Sequence, residues 1–362
     1  GTTGHPKGVV LTQSNLLVDA AGIARWHGLA PGERMMCVLP IHHVNGTVVT
    51  LVTPLAYGGT AVLCRKFSTD RFLPLLAEER IGVVSVVPTL LSFLLQGGAT
   101  TEGLDLSVFR HIICGAGPLT VELALQFQDA LGLRIVHGYG LSETTCYSCF
   151  LPIDLDNDVH RSWLGDHGFP SIGCAIPSND MDIHDAEGNH VPAGERGEIV
   201  IRGHNVMTGY FQNDEANADA FAHRWFRSGA EGFWLEGEDG EAYFFITGRL
   251  KELIIRGGVN VSPLEIDEVL MNLPGVKAGV SVGFENDMYG EEIGAYVVME
   301  EGAVEDAEGI LAACREALPH HKRPKVVVFG TEVPVTSTGK YQRNRLKESF
   351  SEWRGEQFRK PG

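Results

Sequence analysis

Short apolar runs alternate with helix-like stretches from Ser14 to about residue 140. Ser14 suits the N-cap of a helix that ends near His27, because its hydroxyl can accept a hydrogen bond from a free backbone N–H. The runs Val83–Val87, His111–Cys114 and Arg134–His137 are short, apolar and bounded by Pro or Gly, as buried strands are. Such strands, separated by helices, predict a parallel sheet covered by helices, with ligands at the carboxyl ends of the strands.

The pattern changes between Leu164 and Gly248, where short segments are broken by Gly, Pro, Asn and Asp. Ile183–His184, Gly197–Arg202 and Ala242–Ile246 have the length and composition of short strands. This stretch therefore predicts a small antiparallel, β-barrel-like unit.

A second mixed group follows Gly248. It is predicted to contain a helix over Pro263–Asn272, strands near 277–284 and 292–299, a helix near 305–317 and a strand at 325–329. We therefore predict an α/β protein with a large N-terminal domain (1–248), a hinge (249–252) and a smaller α+β C-terminal domain (253–362). The chain opens at Gly1 inside a glycine-rich loop with no strand before it, so we expect that an upstream portion is missing.

Charge and composition narrow the classes of function. The 362 residues include 46 acidic and 29 basic ones, a formal charge of −17, which repels nucleic acids and anionic membranes. No apolar stretch reaches membrane-spanning length. The seven cysteines are scattered, and Cys146 and Cys149 form a lone CxxC, as expected of reduced thiols rather than of a metal site. We expect a cytoplasmic globular protein that binds neither nucleic acid nor a membrane.

The segment GTTGHPKG at residues 1–8 combines glycines, hydroxyl side chains and a lysine. Exposed N–H groups, hydroxyls and an ammonium suit a polyphosphate, because each supplies a donor or positive charge with little bulk. The spacing is not that of the Walker loop, since Lys7 is followed by Gly8 rather than by Ser or Thr. By itself the segment is equally compatible with an ordinary flexible turn.

The segment GYGLSET at 138–144 follows an apolar run, where a strand ends and a ligand binds. Tyr139 can stack on a base, Ser142 can reach a phosphate, and Glu143 can hold a hard cation. Without the other motifs, Glu143 is more typical of a solvated loop acid. A dinucleotide fold is disfavoured, because Thr120 and Glu143 occupy the third-glycine positions after Gly115 and Gly138.

Six motifs occur together and in order, and jointly they resemble the adenylate-forming superfamily, in its acyl-CoA synthetase branch. They are GTTGHPKG (1–8), LPIHHVNG (39–46), GYGLSET (138–144), GEIVIRGHNVMTGY (197–210), GRLKE (248–252) and TSTGK (336–340). Lys340 in the last motif, taken alone, is typical of a solvent-exposed lysine. The resemblance runs from Gly1 to about Lys347, so it covers nearly the whole chain.

The resemblance implies an acid–thiol ligase that adenylates a carboxylic acid with ATP, releases pyrophosphate and passes the acyl group to coenzyme A. Such chemistry depends on positioning and charge neutralisation, because an anionic acid meets an anionic phosphate. The implied ATP-binding residues are Thr2, Thr3, Gly4 and Lys7 at the phosphates, Ser142 at the α-phosphate, Tyr139 at the adenine beside Gly115, Ala116 and Gly117, Arg249 at the ribose region, and Gly140. Glu143 is implied as the Mg²⁺ ligand and Lys340 as the catalytic lysine.

The resemblance also implies a conformational change between the two half-reactions. Lys251 matches the hinge position about which the C-terminal domain turns. Gly257 and Gly258 would then line the channel for the pantetheine arm of coenzyme A. His43 matches a position near the acyl pocket and is implied in catalysis.

One position departs from the family pattern. After WFR, members read TGD, and the Asp binds the ribose hydroxyls, whereas this chain has Ser228, Gly229 and Ala230, followed by Glu231. Loss of a charge-assisted hydrogen bond costs about 1.5 to 3 kcal/mol. The resemblance therefore leaves open a weakened enzyme, compensation by Glu231, or a nucleotide-binding relative without turnover.

The resemblance does not by itself fix the acyl acceptor or the acid. A carrier-protein-loading adenylation enzyme is a second hypothesis, although no carrier domain follows TSTGK and LPIHHVNG has no Asp for an amino group. The implied pocket segments, His43–Thr47, Val86–Thr89 and Cys114–Gly117, hold no Lys or Arg. This favours a hydrophobic aliphatic or aromatic acid, as in fatty acid metabolism, over a dicarboxylate. The resemblance leaves a homodimer open.

Overall fold

The computed structural model describes residues 7–335 and 341–358, and it divides into two compact units. Among the described residues, the large unit spans 7–246 and the small unit begins at Thr247. No helix in the described ranges is long and apolar enough to cross a membrane. The proposed turning of one domain about 249–252 stays a prediction.

Among its described residues, the large unit contains seven α-helices and twelve strands, and a thirteenth strand runs from it into the small unit. The strands are β1 (Val9–Val10), β2 (Arg34–Cys37), β3 (Thr60–Leu63), β4 (Val83–Val86), β5 (His111–Cys114), β6 (Ile135–Tyr139), β7 (Cys149–Phe150), β8 (Ser171–Ala175), β9 (Asn179–His184), β10 (Gly197–Gly203), β11 (Gly209–Tyr210), β12 (Phe226–Glu236) and β13 (Ala242–Arg249). The helices are α1 (Gln13–Trp26), α2 (Thr53–Tyr57), α3 (Thr69–Glu78), α4 (Pro88–Gln96), α5 (Val121–Leu131), α6 (Asn157–Gly165) and α7 (Asp214–Ala220).

An eleven-stranded sheet organises this unit, in the order β3-β2-β4-β5-β6-β7-β8-β13-β12-β10-β9. Its first five strands are parallel, and helix side chains such as Phe72, Leu91 and Phe127 pack with strand residues in one buried cluster. The predicted α/β class is confirmed. The antiparallel strands predicted after residue 164 are present as well, and they continue the same sheet from β7 onward.

Helix α1 begins two residues earlier than the sequence pattern suggested. Its N-cap is Thr12, whose Oγ1 accepts a hydrogen bond from Asn15 N at 3.1 Å, while Asn15 Oδ1 accepts one from Thr12 N at 2.8 Å. The prediction of Ser14 as N-cap is therefore wrong. The reason is that Thr12 and Asn15 form a reciprocal capping box, with Asn in the place usually taken by Glu or Gln.

The small unit is an α+β fold, as predicted. Its elements are β14 (Ile254–Arg256), β15 (Val259–Val261), α8 (Pro263–Met271), β16 (Val276–Asn286), β17 (Gly290–Met299), α9 (Ala307–Ala317) and β18 (Val326–Phe329). The long β16–β17 hairpin forms its centre, and β18 joins β17 in parallel. Ile266, Leu270 and Cys314 of the two helices pack on the sheet residues Ile293 and Val297.

Candidate functional site

Most of the predicted site residues in the large unit follow the carboxyl ends of neighbouring parallel strands. β5 leads into Gly115–Gly117, β6 ends at Tyr139 and leads into Glu143, and β2 precedes the segment that holds His43. The pairing of β2 with β4, β4 with β5 and β5 with β6 places these loops at one edge of the sheet. This edge is where open α/β sheets bind their ligands.

Two glycines at this edge are required by close packing. A Cβ atom on Gly115 would lie 2.5 Å from the Gly138 carbonyl oxygen and 2.6 Å from the Tyr147 hydroxyl. A Cβ atom on Gly140 would lie 1.6 Å from the Cys146 carbonyl oxygen. A side chain at either position would overlap the neighbouring atoms, and the two packed segments would have to separate. The packing of the protein itself therefore requires glycine at both positions, whether or not a ligand is bound.

Tyr210 lies between Lys7 and Glu143. The Lys7 Nζ atom is 4.3 Å from the centroid of the Tyr210 ring, and the Tyr210 hydroxyl donates a hydrogen bond to Glu143 Oε1 at 2.9 Å. Burial, and then the neighbouring Glu143 carboxylate, raise the pKa of Tyr210 above its ordinary value, so the phenol is a donor at neutral pH. The structure thus brings the glycine-loop lysine and the predicted cation ligand to the same place.

Backbone pairing explains how residues so distant in sequence meet. β1 pairs antiparallel with β11, with Val9 opposite Tyr210, and this pairing places the preceding Lys7 beside the tyrosine. Met207 N donates to the Glu143 carbonyl oxygen at 2.7 Å. Tyr210 ends one of the sequence motifs, but the sequence alone assigned it no role, because its partner Glu143 is 67 residues away.

The GYGLSET loop is held in a tight turn. Ser142, Glu143 and Thr144 form a single 3₁₀ turn, in which Leu141 N donates to Thr144 Oγ1 at 3.1 Å. Thr145 follows with φ of 67° and ψ of −58°, a positive-φ conformation that is costly for a β-branched residue. Ser142 is exposed to solvent.

A buried polar group lies beneath Gly115, next to the segment that carries His43. Asn45 accepts a hydrogen bond from Ser85 Oγ at 2.6 Å and donates one to the Tyr147 hydroxyl at 3.3 Å. His43 itself is partly buried and stacks obliquely on His42, with ring centroids 4.3 Å apart. Sequence reasoning missed Asn45, Ser85 and Tyr147, because polar residues in apolar runs reveal their partners only once the strands are assembled.

Ala230 lies in an apolar environment on β12. The residue is 5% exposed, and it belongs to the buried cluster that includes Tyr210 and Phe244, with Tyr139 packed against it. Its N–H donates to Ser228 Oγ at 3.0 Å. An alanine side chain offers no hydrogen-bond acceptor at this position.

The acidic residues around Ala230 have other partners. Glu198 accepts from Arg227 at 2.6 Å and from Gly229 N at 2.7 Å. Glu231, the substitute suggested by the sequence, pairs with Arg196 at 3.5 Å and lies opposite Glu198 in the strand register. Both acids beside Ala230 therefore already have cationic partners.

The small unit carries the other predicted residues that are described. Arg249 ends β13, and Lys251 is exposed in the 3₁₀ turn Leu250–Glu252. Gly257 and Gly258, with φ of 58° and 82°, form the two-residue turn of the β14–β15 hairpin. A turn with positive φ at both central residues favours glycine, which accounts for the pair.

Four predicted residues lie outside the described residues. They are Thr2, Thr3 and Gly4 of the first motif, and Lys340 of the last. Their assigned roles stay predictions from the sequence.

Comparison with known proteins agrees with the resemblance of the motifs. A family model described as AMP-binding enzyme matches residues 1–211, and a model of the AMP-binding enzyme C-terminal domain matches residues 265–340. The sulfoacetate–CoA ligase of Cupriavidus necator is 36% identical over 349 residues, which cover 96% of this chain and 65% of the relative. The oxalate–CoA ligase of Arabidopsis thaliana is 32% identical over 354 residues, which cover 97% and 66%.

Solved structures resemble the fold over almost the whole chain. ATP-bound MatB from Rhodopseudomonas palustris has a TM-score of 0.86 at 30% identity, covering 97% of this chain and 67% of that one. The o-succinylbenzoate CoA synthetase of Bacillus subtilis, in complex with its acyl-adenylate intermediate, has a TM-score of 0.84 at 28% identity, covering 96% and 67%. The chain thus spans about two thirds of the length of the proteins that it matches.

Proposed function

Because this chain belongs to the family of AMP-binding enzymes, we propose that it activates a carboxylic acid with ATP and transfers the acyl group to coenzyme A. The first step would form an acyl-adenylate and release pyrophosphate, and the second would form the thioester. The observation that supports this proposal most is the approach of Lys7 and Glu143 to a shared tyrosine at the carboxyl edge of the sheet.

The large-unit residues have the chemistry that the first step needs. The Lys7 ammonium would neutralise phosphate charge, and the hydroxyl of the exposed Ser142 would donate to the α-phosphate. The Glu143 carboxylate fits a Mg²⁺ ligand, because a hard cation favours carboxylate oxygen. The Tyr210 hydroxyl holds this carboxylate by donating a hydrogen bond to one of its two oxygens. When bound, Mg²⁺ would offset the negative charge of the triphosphate.

The remaining roles are assigned from the sequence motifs. Tyr139 would stack on the adenine beside Gly115–Gly117, and Arg249 would contact the ribose region. Lys340 would bridge the acid and the phosphate during adenylation. Lys251 would be the hinge, and the side-chain-free turn at Gly257–Gly258 would let the pantetheine arm of coenzyme A pass close to the backbone.

The acid is proposed only as a class. The relatives are named for acids as different as sulfoacetate, ferulate, oxalate and long-chain fatty acids, so family membership does not select one. The absence of Lys and Arg from the implied pocket segments supports an apolar aliphatic or aromatic acid.

The proposal is tested by pyrophosphate release and thioester formation in the full-length protein. ATP, Mg²⁺, coenzyme A and a panel of aliphatic, aromatic and dicarboxylic acids are supplied, and thioesters are identified by mass spectrometry. We expect both products with at least one apolar acid. Absence of both products with every acid would contradict the proposed activity.

A second candidate is a nucleotide-binding relative without turnover, and the apolar surroundings of Ala230 favour it. Calorimetry with ATP and Mg²⁺ separates the two. Nucleotide binding without pyrophosphate release, unchanged in Ala230→Asp, would support the second candidate over the enzyme.

Tyr210→Phe is expected to weaken the response to Mg²⁺. The variant keeps the aromatic ring under Lys7 but removes the hydroxyl that donates to Glu143. Because a hydrogen bond to a charged group contributes about 1.5 to 3 kcal/mol, we expect the Mg²⁺ concentration for half-maximal pyrophosphate release to rise about tenfold. The measurement is a Mg²⁺ titration at saturating ATP.

Tyr243→Phe is the matched control for this variant. The Tyr243 hydroxyl also donates to a carboxylate, Asp239 Oδ2 at 2.8 Å, but its ring stacks on Trp163, with centroids 3.9 Å apart. This variant should leave the Mg²⁺ midpoint unchanged. Equal shifts in the two variants would refute a specific role for Tyr210.

A further inference from the structure

One buried face of helix α1 carries two polar side chains, Asn15 and Asp19. Asn15 is 8% exposed and Asp19 is fully buried. Residues four apart lie above one another on a helix, so the two side chains face the same neighbouring segments. Asn15 Nδ2 donates to the carbonyl oxygens of His204 at 2.7 Å and of Val206 at 3.0 Å.

Asp19 extends this contact to a second segment. Its Oδ1 accepts from Asn205 Nδ2 at 3.1 Å, and its Oδ2 accepts from Tyr147 N at 3.4 Å. Asn205 Nδ2 also donates to the Tyr147 carbonyl oxygen at 3.2 Å, and Thr145 Oγ1 donates to the Asn205 carbonyl oxygen at 2.7 Å. One carboxyl group therefore joins α1 to the segments Thr145–Tyr147 and His204–Val206.

These two segments hold the loop that bears Ser142 and Glu143. Thr145 N donates to the Ser142 carbonyl oxygen at 3.1 Å, and Met207 N donates to the Glu143 carbonyl oxygen at 2.7 Å. The positive-φ conformation of Thr145 persists only where its surroundings enforce it, and the hydrogen bond to the Asn205 carbonyl oxygen is one such contact.

The same helix is tied to the glycine-loop lysine. β1 begins two residues after Lys7, and the α1 N-cap is Thr12, two residues after β1 ends. Helix α1 is thus connected by a short segment to Lys7 and by side-chain hydrogen bonds to the Glu143 loop.

We propose that Asp19 is a positioning residue, whose carboxyl group joins Thr145–Tyr147 to Asn205 and thereby sets Ser142 and Glu143 relative to Lys7. The effect on catalysis rests on the proposed function, whereas the effect on the loop does not. Asp19 itself would touch neither ATP nor the acid.

The protonation state of Asp19 guides the choice of variants. Burial outweighs the hydrogen bonds from Asn205 and Tyr147 and raises the pKa of Asp19 to about 8, so the group is largely uncharged at pH 7. Asp19→Asn keeps one acceptor oxygen and the size of the side chain, whereas Asp19→Ala removes both acceptors. A graded loss of position is therefore expected, smaller in Asn than in Ala.

The test compares these variants with Ile23→Ala in the full-length protein. Ile23 lies one turn further along α1, is fully buried in the apolar core and makes no side-chain hydrogen bond, so its truncation lowers stability without touching the network. Hydrogen–deuterium exchange is measured at pH 7 over peptides covering 139–147 and 203–210. The Mg²⁺–ATP concentration for half-maximal pyrophosphate release is measured in parallel.

We expect exchange in both peptides to accelerate about tenfold in Asp19→Ala, less in Asp19→Asn, and not in Ile23→Ala, because lost hydrogen bonds free that backbone locally. The Mg²⁺–ATP concentration for half-maximal pyrophosphate release should rise in the same order. The reason is that small displacements of catalytic groups weaken their contacts with the substrate, and they lower reaction rates about tenfold to a hundredfold. Equal exchange in the Asp19→Ala and Ile23→Ala variants, or unchanged exchange in Asp19→Ala, would overturn the positioning role. If the wild type released no pyrophosphate, the proposed function would fail, while the exchange data would still decide this inference. Should Asp19→Ala not fold, Asp19→Asn against Ile23→Val gives the same comparison.

Discussion

Ala230→Asp should bind ATP about tenfold to a hundredfold more tightly than the wild type. The substitution restores the acceptor that the family pattern has at this position, and a charge-assisted hydrogen bond contributes about 1.5 to 3 kcal/mol. Neither neighbouring acid supplies that acceptor, because Glu198 is bound by Arg227 and Glu231 pairs with Arg196. The measurement is the dissociation constant for ATP with Mg²⁺, by calorimetry.

The same substitution should lower stability without nucleotide. Ala230 is 5% exposed among apolar side chains, and an unpaired carboxylate there loses its hydration. We therefore expect the melting temperature of Ala230→Asp to fall below that of the wild type, and saturating ATP with Mg²⁺ to raise it by more than it raises the wild type. A variant that melts below the wild type without nucleotide, but gains more from ATP and Mg²⁺, has a carboxylate that finds its hydrogen-bond partner only in the complex.

Two variants control for size and for burial of charge. Ala230→Asn has nearly the volume of Asp without its charge. Ala220→Asp introduces the same carboxylate into the same apolar cluster, from helix α7, where the residue is 8% exposed. If Ala220→Asp gained as much ATP affinity as Ala230→Asp, or if Ala230→Asp gained none, position 230 would not face the ribose.

The sequence predicted elements well where local chemistry decides them. The helix predicted over Pro263–Asn272 is observed over Pro263–Met271, and the strand His111–Cys114 has its predicted limits. Proline at the first turn of the helix and apolar runs bounded by glycine are signals carried by adjacent residues. The N-cap of α1 was misplaced because both Thr12 and Ser14 carry a hydroxyl, and only the reciprocal bonds with Asn15 distinguish them.

Site residues that act through distant partners were not predictable in the same way. Tyr210 meets Glu143 across 67 residues, and Asp19 meets Asn205 across 186. No local sequence pattern identifies these partners, because the tyrosine simply follows a glycine and the aspartate simply lies in a helix. The contacts form only when β1 pairs with β11 and α1 packs on the loops. They can therefore be identified only from the assembled fold.

Lys340→Ala should abolish most adenylation and spare thioester formation. The motif implies that the lysine would bridge the acid and the phosphate, where removal of one donor that stabilises developing charge costs about a hundredfold to a thousandfold in rate. Its removal should not slow the second half-reaction, since the resemblance implies that the domain carrying Lys340 would turn away before the thiol attacks the acyl carbon and AMP leaves. Pyrophosphate release measures the first half-reaction, and thioester formation from a supplied acyl-adenylate measures the second.

Lys347→Ala distinguishes this effect from a general loss of positive charge. Lys347 lies seven residues further on, is exposed, and pairs with Glu291 at 2.9 Å, a surface contact of small energetic weight. Both half-reactions should persist in this variant. A group that acts only in adenylation should slow the first half-reaction and leave the second unchanged. If Lys340→Ala slowed the two half-reactions equally, the lysine would therefore act through the fold of the small unit rather than on the acid and phosphate.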